Sequence, residues 1–139
     1  MHITHLSLRQ FRNFTLTDLE LAPGLNVFLG PNGAGKSNIL QAISIVCQGA
    51  SHRGAEARHW IQEGKDESAL TAKLEGEEPL QCDIRQKRGR MRQVKINNRA
   101  QTRLRDWLGR APIVTFSPDD LELVKGEPSG RRRAVNEAL

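Results

Sequence analysis

The sequence of 139 residues predicts an α/β fold that carries an antiparallel β-meander subdomain. Three observations support this class. A glycine-rich loop at residues 30–37 lies between a short apolar run and a stretch with helical spacing. Two alternating runs near the start, and a further set between residues 66 and 100, predict half-buried strands. The length fits one domain with its own core.

The first two elements are predicted to be paired β-strands. Apolar and polar residues alternate over residues 3–8 and again over residues 16–21, as expected of strands that bury one face. Residues 9–15 join the two runs, so the strands are expected to lie side by side as an antiparallel pair.

A strand, a loop and a helix are predicted to follow in that order. Residues 25–29 are apolar and rich in β-forming side chains, and Pro23 and Gly24 form a turn signal before them, which predicts a buried strand. After the loop, one apolar stripe predicts a helix that ends at Gly49, and this first unit is expected to end near residue 54. The stripe consists of Ile39, Leu40, Ile43, Val46 and Cys47.

The loop matches the phosphate-binding pattern G-x-x-x-x-G-K-[ST] in full. Its glycines allow successive backbone N–H groups to point at an anion. Lys36 supplies a cation for the β- and γ-phosphates, Ser37 supplies a hydroxyl for Mg²⁺, and the helix start adds its positive dipole end. A glycine-rich turn that only joins two elements is the alternative. The predicted nucleotide contacts are Gly30, Pro31, Asn32, Gly33, Ala34, Gly35, Lys36 and Ser37.

The guanine-specific pattern Asn-Lys-x-Asp does not occur in the sequence. Its absence favours ATP over GTP as the nucleotide, and an α/β core with a β subdomain fits the ATPase heads of the ABC superfamily better than a small GTPase. ATP and Mg²⁺ are therefore the predicted cofactors.

Residues 66–100 are predicted to form the antiparallel subdomain. Turn signals at residues 76–79, 87–89 and 97–98 separate three alternating runs. A short helix over residues 102–108 and a strand over residues 112–116 are predicted to follow. The alternating apolar residues of the three runs are Leu70, Ala72, Leu74, Leu80, Cys82, Ile84, Met91, Val94 and Ile96.

The formal net charge of +5 is concentrated in one segment. Residues 85–110 hold ten of the Lys and Arg residues against Asp106 as the single acid. Such a segment is either a solvated face or a surface that contacts the phosphate backbone of a nucleic acid, and the segment alone does not decide between them. Arg88, Arg90 and Arg92, around a turn at Gly89, are the candidate DNA contacts.

Cysteine usage and the chain start favour an intracellular protein. Cys47 and Cys82, the two cysteines, are predicted to be buried free thiols because one lies on the apolar helix stripe and the other in an alternating strand. The start lacks the basic-then-apolar layout of a secretion signal, and polar residues interrupt every apolar stretch. A cytoplasmic location without a membrane partner is expected.

Four segments carry more specific patterns. They are Leu-Arg-Gln-Phe-Arg-Asn-Phe at residues 8–14, the loop with residues 38–43 after it, Ser-His-Arg at residues 51–53, and residues 116–126. Together they resemble the N-terminal portion of the RecF family of bacterial recombination mediators, and the resemblance runs from end to end. The last segment is the most specific, because the family pattern is met at Pro118, Asp119, Leu123, Val124, Gly126, Pro128, Arg131 and Arg132.

The sequence departs from the family pattern soon after this segment. Glu127 stands where the family has a small residue or Asp, Ala134 replaces an aromatic residue and Asn136 replaces an Asp. These departures concern the expected packing on the helical lobe that follows. Residues 111–139 are expected to contain a strand and the start of this lobe. They leave the nucleotide loop unaffected.

The resemblance implies an SMC-like ATPase head of the ABC superfamily that binds ATP and forms an ATP-dependent homodimer around two nucleotides. It implies DNA as a partner, either single-stranded or as a gapped or junction duplex, together with other recombination mediator proteins. Its role would be to help load the recombinase in gap repair and the SOS response.

Three further side chains receive candidate roles from the resemblance. Arg12 and Asn13 lie close to the nucleotide phosphates in the family fold, where Arg12 would make a charge-assisted bond; exposed loop residues are the alternative. Asp119 is the candidate for sensing Mg²⁺ and the attacking water. Its alternative role is the N-cap of a helix that begins at Leu121.

The family's Walker B and signature motifs do not occur in the sequence. ATPase activity is therefore expected of a full-length dimer and not of these 139 residues alone. Two other interpretations remain open at the level of sequence. One is the head of another ABC-type P-loop NTPase, such as a transporter, and the other is a non-catalytic DNA module that binds phosphate.

Overall fold

A computed structural model describes residues 1–48, 57–101 and 111–116. Within these ranges one six-stranded sheet has the order β2-β1-β3-β4-β5-β6, and every neighbouring pair is antiparallel. A short 3₁₀ helix lies at Ala57–Trp60. The α-helix α1 is Lys36–Gln48, and the strands are β1 (His2–Phe11), β2 (Phe14–Glu20), β3 (Glu67–Glu75), β4 (Leu80–Lys87), β5 (Gln93–Ile96) and β6 (Arg99–Gln101).

The predicted first hairpin is confirmed. β1 and β2 pair with Leu6 opposite Leu19 and Phe11 opposite Phe14. Leu6 is completely buried and its neighbour Ser7 is not, which is the alternation expected of a strand with one buried face. Only two residues, Arg12 and Asn13, separate the paired ends.

The predicted meander is confirmed as well, and β3 also pairs with β1, so the hairpin and the meander share one continuous sheet. Asn97 and Asn98 form the two-residue turn between β5 and β6 with φ angles of 47° and 64°. Both angles fit a type I′ turn, in which asparagine is favoured. Met91 was predicted to lie within a strand, and this is wrong: it precedes β5 and is 93% exposed.

The helix α1 packs against the inner face of the sheet. Its residues Ile39, Ala42 and Ile45 recur at helical spacing and are buried, and they belong to one cluster with Leu8 and Leu70 from the strands. Burial of each Ile or Leu side chain in this cluster contributes about 1.5–3 kcal/mol. This packing fixes the start of the helix, and with it the glycine-rich loop, beside the β1–β2 turn.

Both cysteines are buried free thiols, as predicted. Burial raises the pKa of Cys47 to about 11. The pKa of Cys82 rises to about 12, chiefly through burial and further through the charge of Asp83. The thiols ionise at a lower pH in the unfolded chain than in the folded one. The stabilisation that comes from keeping them protonated in the fold is therefore complete below pH 9, and the free energy of unfolding falls as the pH rises toward these values.

Two predicted strands are wrong. Residues 25–29 and 112–116 have no regular secondary structure, and no backbone hydrogen bond joins residues 25–29 to any other residue that the structure describes. Leu25 and Leu29 are 87% and 89% exposed, and Phe116 is 79% exposed. A buried strand needs a partner along its edge and a cover for each face, and the described residues supply no partner strand here.

Several predicted features lie outside the described residues. They are the helix end at Gly49, residues 51–53, the short helix over residues 102–108, and everything from residue 117 onward. Among the helices that the structure does describe, none is long and apolar enough to cross a membrane.

Candidate phosphate-binding site

The glycine-rich loop ends where α1 begins. The N–H groups of Asn38 and Ile39 both donate to the carbonyl oxygen of Gly35, at 2.9 and 3.0 Å, so Gly35 caps the helix. Lys36 and Ser37 are the first two helical residues, and N–H groups at such positions lack a partner within the helix. They face outward from the helix end, where the dipole favours an anion.

All three glycines of the loop have positive φ angles, and those of Gly33 and Gly35 lie well inside the region that favours glycine. Gly33 and Gly35 have φ angles of 83° and 100°. A Cβ on Gly35 would lie 2.5 Å from Phe14 Cζ and 2.8 Å from Asn13 Nδ2, whereas a Cβ on Gly33 would meet nothing within 4 Å. Gly35 is therefore required both by its backbone conformation and by the close approach of the β1–β2 hairpin.

The Lys36 ammonium group folds back over the loop. Its Nζ atom donates to the carbonyl oxygens of Gly30 at 2.7 Å and Pro31 at 2.8 Å. These two bonds hold the ammonium group across the loop. From this position it can turn toward an anion that enters the loop. A phosphate oxygen offers the ammonium group a negative charge in exchange for neutral carbonyl oxygens, which adds an attraction between opposite charges to the hydrogen bond.

An open concavity of about 350 Å³ lies over the loop. Lys36 is the single charged residue in its lining, so within the described part of the chain the concavity has a positive character. Ser37 is exposed in the first turn of α1 and lines the concavity, which is where the pattern places a hydroxyl group for Mg²⁺. The full lining is Asn32, Gly33, Gly35, Lys36, Ser37 and Asn38.

Arg12 and Asn13 lie beside this loop, but their side chains contact protein groups. Arg12, with a φ angle of 53°, directs its Nε–H to Gln41 Oε1 at 3.0 Å. Asn13 donates from Nδ2 to the Gly33 carbonyl oxygen at 3.4 Å and accepts from Asn38 Nδ2 at 2.8 Å. The predicted nearness to the loop is thus present, while direct phosphate contact by either residue stays a prediction.

Gln41 is a residue of this region that sequence reasoning missed. It is 2% exposed and accepts the Arg12 bond from within α1. Buried polar side chains need such partners. A glutamine directly beside the apolar stripe of a predicted helix was the signal, because that position predicts a buried amide that must be satisfied.

The three arginines at the meander turn differ in their exposure and in their contacts. Gly89 does occupy the predicted turn, with φ 66°, and Arg88 and Arg90 are exposed beside it. Arg88 donates to the Lys65 carbonyl oxygen at 2.9 Å. Arg92 instead lies over the Trp60 ring at 5.2 Å from its centroid, half-buried, with a pKa lowered chiefly by burial. Its predicted position in the exposed cluster is therefore corrected. Asp119, the other predicted site residue, lies outside the described residues.

Comparison with known proteins gives consistent results. A family model described as "AAA domain" matches residues 5–122. The DNA replication and repair protein RecF of Paenarthrobacter aurescens is 39% identical over the whole chain, which covers 35% of that protein. The protein of the same name from Streptococcus pneumoniae is 41% identical and is covered to 38%. The chain therefore spans about a third of the length of these relatives.

Solved structures show the same likeness. A structure described as the recombination mediator protein RecF-ATP in the RecFOR pathway matches with a TM-score of 0.89 and 27% identity, over 96% of this chain and 36% of that chain. A chain from work on ATP-driven dimerization and DNA-stimulated activation of SMC ATPases matches with a TM-score of 0.77 over all of both chains; at 19% identity it shows the fold alone. The predicted fold class, a partial P-loop NTPase head of the ABC and SMC type, and the resemblance to RecF are confirmed.

Substitution of Gly35 is predicted to be more damaging than the same substitution at Gly33. Gly35→Ala adds a Cβ that must displace Phe14 and Asn13, whereas Gly33→Ala adds one in open space; both pay about 1–2 kcal/mol for the left-handed backbone. We expect the free energy of unfolding, measured with urea, to fall by at least about 1 kcal/mol more in Gly35→Ala. Equal losses in the two variants would show that the hairpin does not press on the loop.

Proposed function

We propose that this chain, which belongs to the AAA domain family, is the nucleotide-binding part of one ATPase head in an ATP-dependent DNA repair and recombination protein of the RecF kind. The observation that carries the proposal is the loop at residues 30–37, with its left-handed glycines, Lys36 across it and a helix start behind it. The named relatives support a DNA repair role over a transporter role, since they are DNA replication and repair proteins.

In the proposed complex, the triphosphate of ATP lies over the loop. Backbone N–H groups of residues 33–37 donate to phosphate oxygens, and for this the Ala34 N–H leaves the Pro31 carbonyl oxygen, to which it donates at 3.2 Å. The Lys36 ammonium group moves from the carbonyl oxygens of Gly30 and Pro31 to the β- and γ-phosphates. The ammonium group has only a few ångströms to travel because it already lies across the loop. Ser37 would hold Mg²⁺, which neutralises phosphate charge when bound.

DNA is the proposed macromolecular partner, in single-stranded form or as a gapped or junction duplex, and the head is proposed to act as an ATP-dependent homodimer with other mediator proteins. Support comes from the basic segment, in which Arg88 and Arg90 are exposed at the end of the β4–β5 hairpin. Clustered arginines release counterions when they meet a phosphate backbone. Cytoplasmic location accompanies this role.

Replacement of Lys36 tests the nucleotide part of the proposal. We predict that Lys36→Met weakens the binding of Mg-ATP by about tenfold to a hundredfold, because hydrogen bonds to charged groups contribute about 1.5–3 kcal/mol. The measurement is equilibrium titration with a fluorescent ATP analogue. Lys73→Met, an exposed lysine on β3, is the matched control and should bind as the wild type does. Equal affinities of the Lys36 and Lys73 variants for Mg-ATP would contradict the assignment of the loop at residues 30–37 as the ATP site.

Charge reversal at the hairpin end tests the DNA part. We predict that Arg88→Glu with Arg90→Glu weakens DNA binding irrespective of base sequence, and flattens the slope of log affinity against log salt by roughly 0.9 per lost duplex contact. Arg92 is left intact because it packs on Trp60. Lys73→Glu with Arg99→Glu makes the same charge change at the other end of the strands and serves as the control. An unchanged salt slope in the variant Arg88→Glu with Arg90→Glu would show that the end of this hairpin is a solvated face that does not contact DNA.

A further inference from the structure

The turn between β1 and β2 is held to the rest of the fold on one side. The Arg12 N–H donates to the Trp60 carbonyl oxygen at 2.8 Å, and the Gln62 N–H donates to the Gln10 carbonyl oxygen at 2.8 Å. Phe11 forms an isolated β-bridge with Ile61 between these two bonds. The backbone of the turn is therefore tied to residues 60–62, and its side chains project from a fixed base.

On the other side of the turn, Asn13 contacts both ends of the loop structure. Its Nδ2 atom donates to the Gly33 carbonyl oxygen in the loop, and its Oδ1 atom accepts from Asn38 Nδ2 in the first turn of α1. The same carboxamide occupies the space that a side chain on Gly35 would need. One side chain thus contacts the loop before, at and after the point where the helix begins.

The two polar atoms of Asn13 are engaged with protein groups. An amide oxygen is an acceptor and has no favourable contact to offer a phosphate oxygen, and the amide nitrogen already directs one of its two hydrogens at the Gly33 carbonyl oxygen. Its oxygen is directed at the Asn38 side chain and its nitrogen at the Gly33 carbonyl oxygen, so the carboxamide joins the loop backbone to the first turn of α1. The neighbouring Arg12 directs its Nε–H at Gln41 Oε1.

We propose that Asn13 is a positioning residue, which holds the loop in the conformation that receives the phosphates and does not itself bind the γ-phosphate. This inference rests on the proposed ATP binding. The loop N–H groups surround the α- and β-phosphates, which ADP and ATP share. A residue that acts through the loop must therefore change the affinity for both nucleotides by the same factor, whereas a γ-phosphate ligand changes the affinity for ATP alone.

The test compares Asn13→Ala with the wild-type protein in calorimetric titrations with Mg-ATP and with Mg-ADP. We expect both dissociation constants to rise by a common factor of about ten, the equivalent of one lost hydrogen bond. Hydrogen exchange of residues 33–37 in the nucleotide-free protein should also become faster, which loss of a direct ligand would leave unchanged. If Asn13→Ala does not fold, Asn13→Gln displaces the same carboxamide by one methylene group and should show the same common factor.

Thr15→Ala is the matched control. Thr15 lies in the same hairpin and exchanges hydrogen bonds with Gln62, away from the loop, so its removal should leave both nucleotide affinities unchanged. A loss confined to ATP, or no loss for either nucleotide, overturns the positioning role while ATP binding itself stands. A wild-type protein that binds neither nucleotide would instead overturn the proposed function.

Discussion

The packing of α1 on the inner face of the sheet is the constraint on which the site depends. Ala42 and Ile45 of the helix share one buried cluster with Leu8, Leu70 and other strand residues. Because this packing fixes the helix, it also fixes the position of the first helical turn. The N–H groups that lack a partner within the helix belong to that turn. The apolar core thereby determines where an anion can bind, and Ile39 connects the two directly, because its N–H donates to the Gly35 carbonyl oxygen.

The loop itself is held by three kinds of interaction that act on neighbouring atoms. Gly35 caps the helix through its carbonyl oxygen, Lys36 spans the loop through two carbonyl bonds, and Asn13 closes the third side. A loop already shaped before the ligand arrives loses less conformational entropy on binding. A bound phosphate replaces the Lys36 bonds and the bond from the Ala34 N–H to the Pro31 carbonyl oxygen, and it leaves the Gly35 and Asn13 bonds in place.

Local patterns predicted local structure well, and they failed where a partner was required. Alternation identified β1 to β5, and the Asn97-Asn98 pair carries its own turn preference. The apolar run at residues 25–29 predicted a strand, but a strand also needs a paired edge, which the described residues do not provide there. The position of Arg92 over Trp60 joins residues that are far apart in sequence, and no local pattern predicts such a contact. The loop motif was predictable because one contiguous segment holds its main chemistry.

Hydrogen exchange of the backbone amides with and without Mg-ATP tests the central claim most directly, because the claim is that the N–H groups of the loop are the ligands. The account predicts slower exchange at residues 33–37 when Mg-ATP is bound, with β5 and β6 at the far edge of the sheet unchanged. Saturation with Mg-ATP that leaves the exchange of residues 33–37 unaltered, with protection elsewhere in the chain, would contradict it.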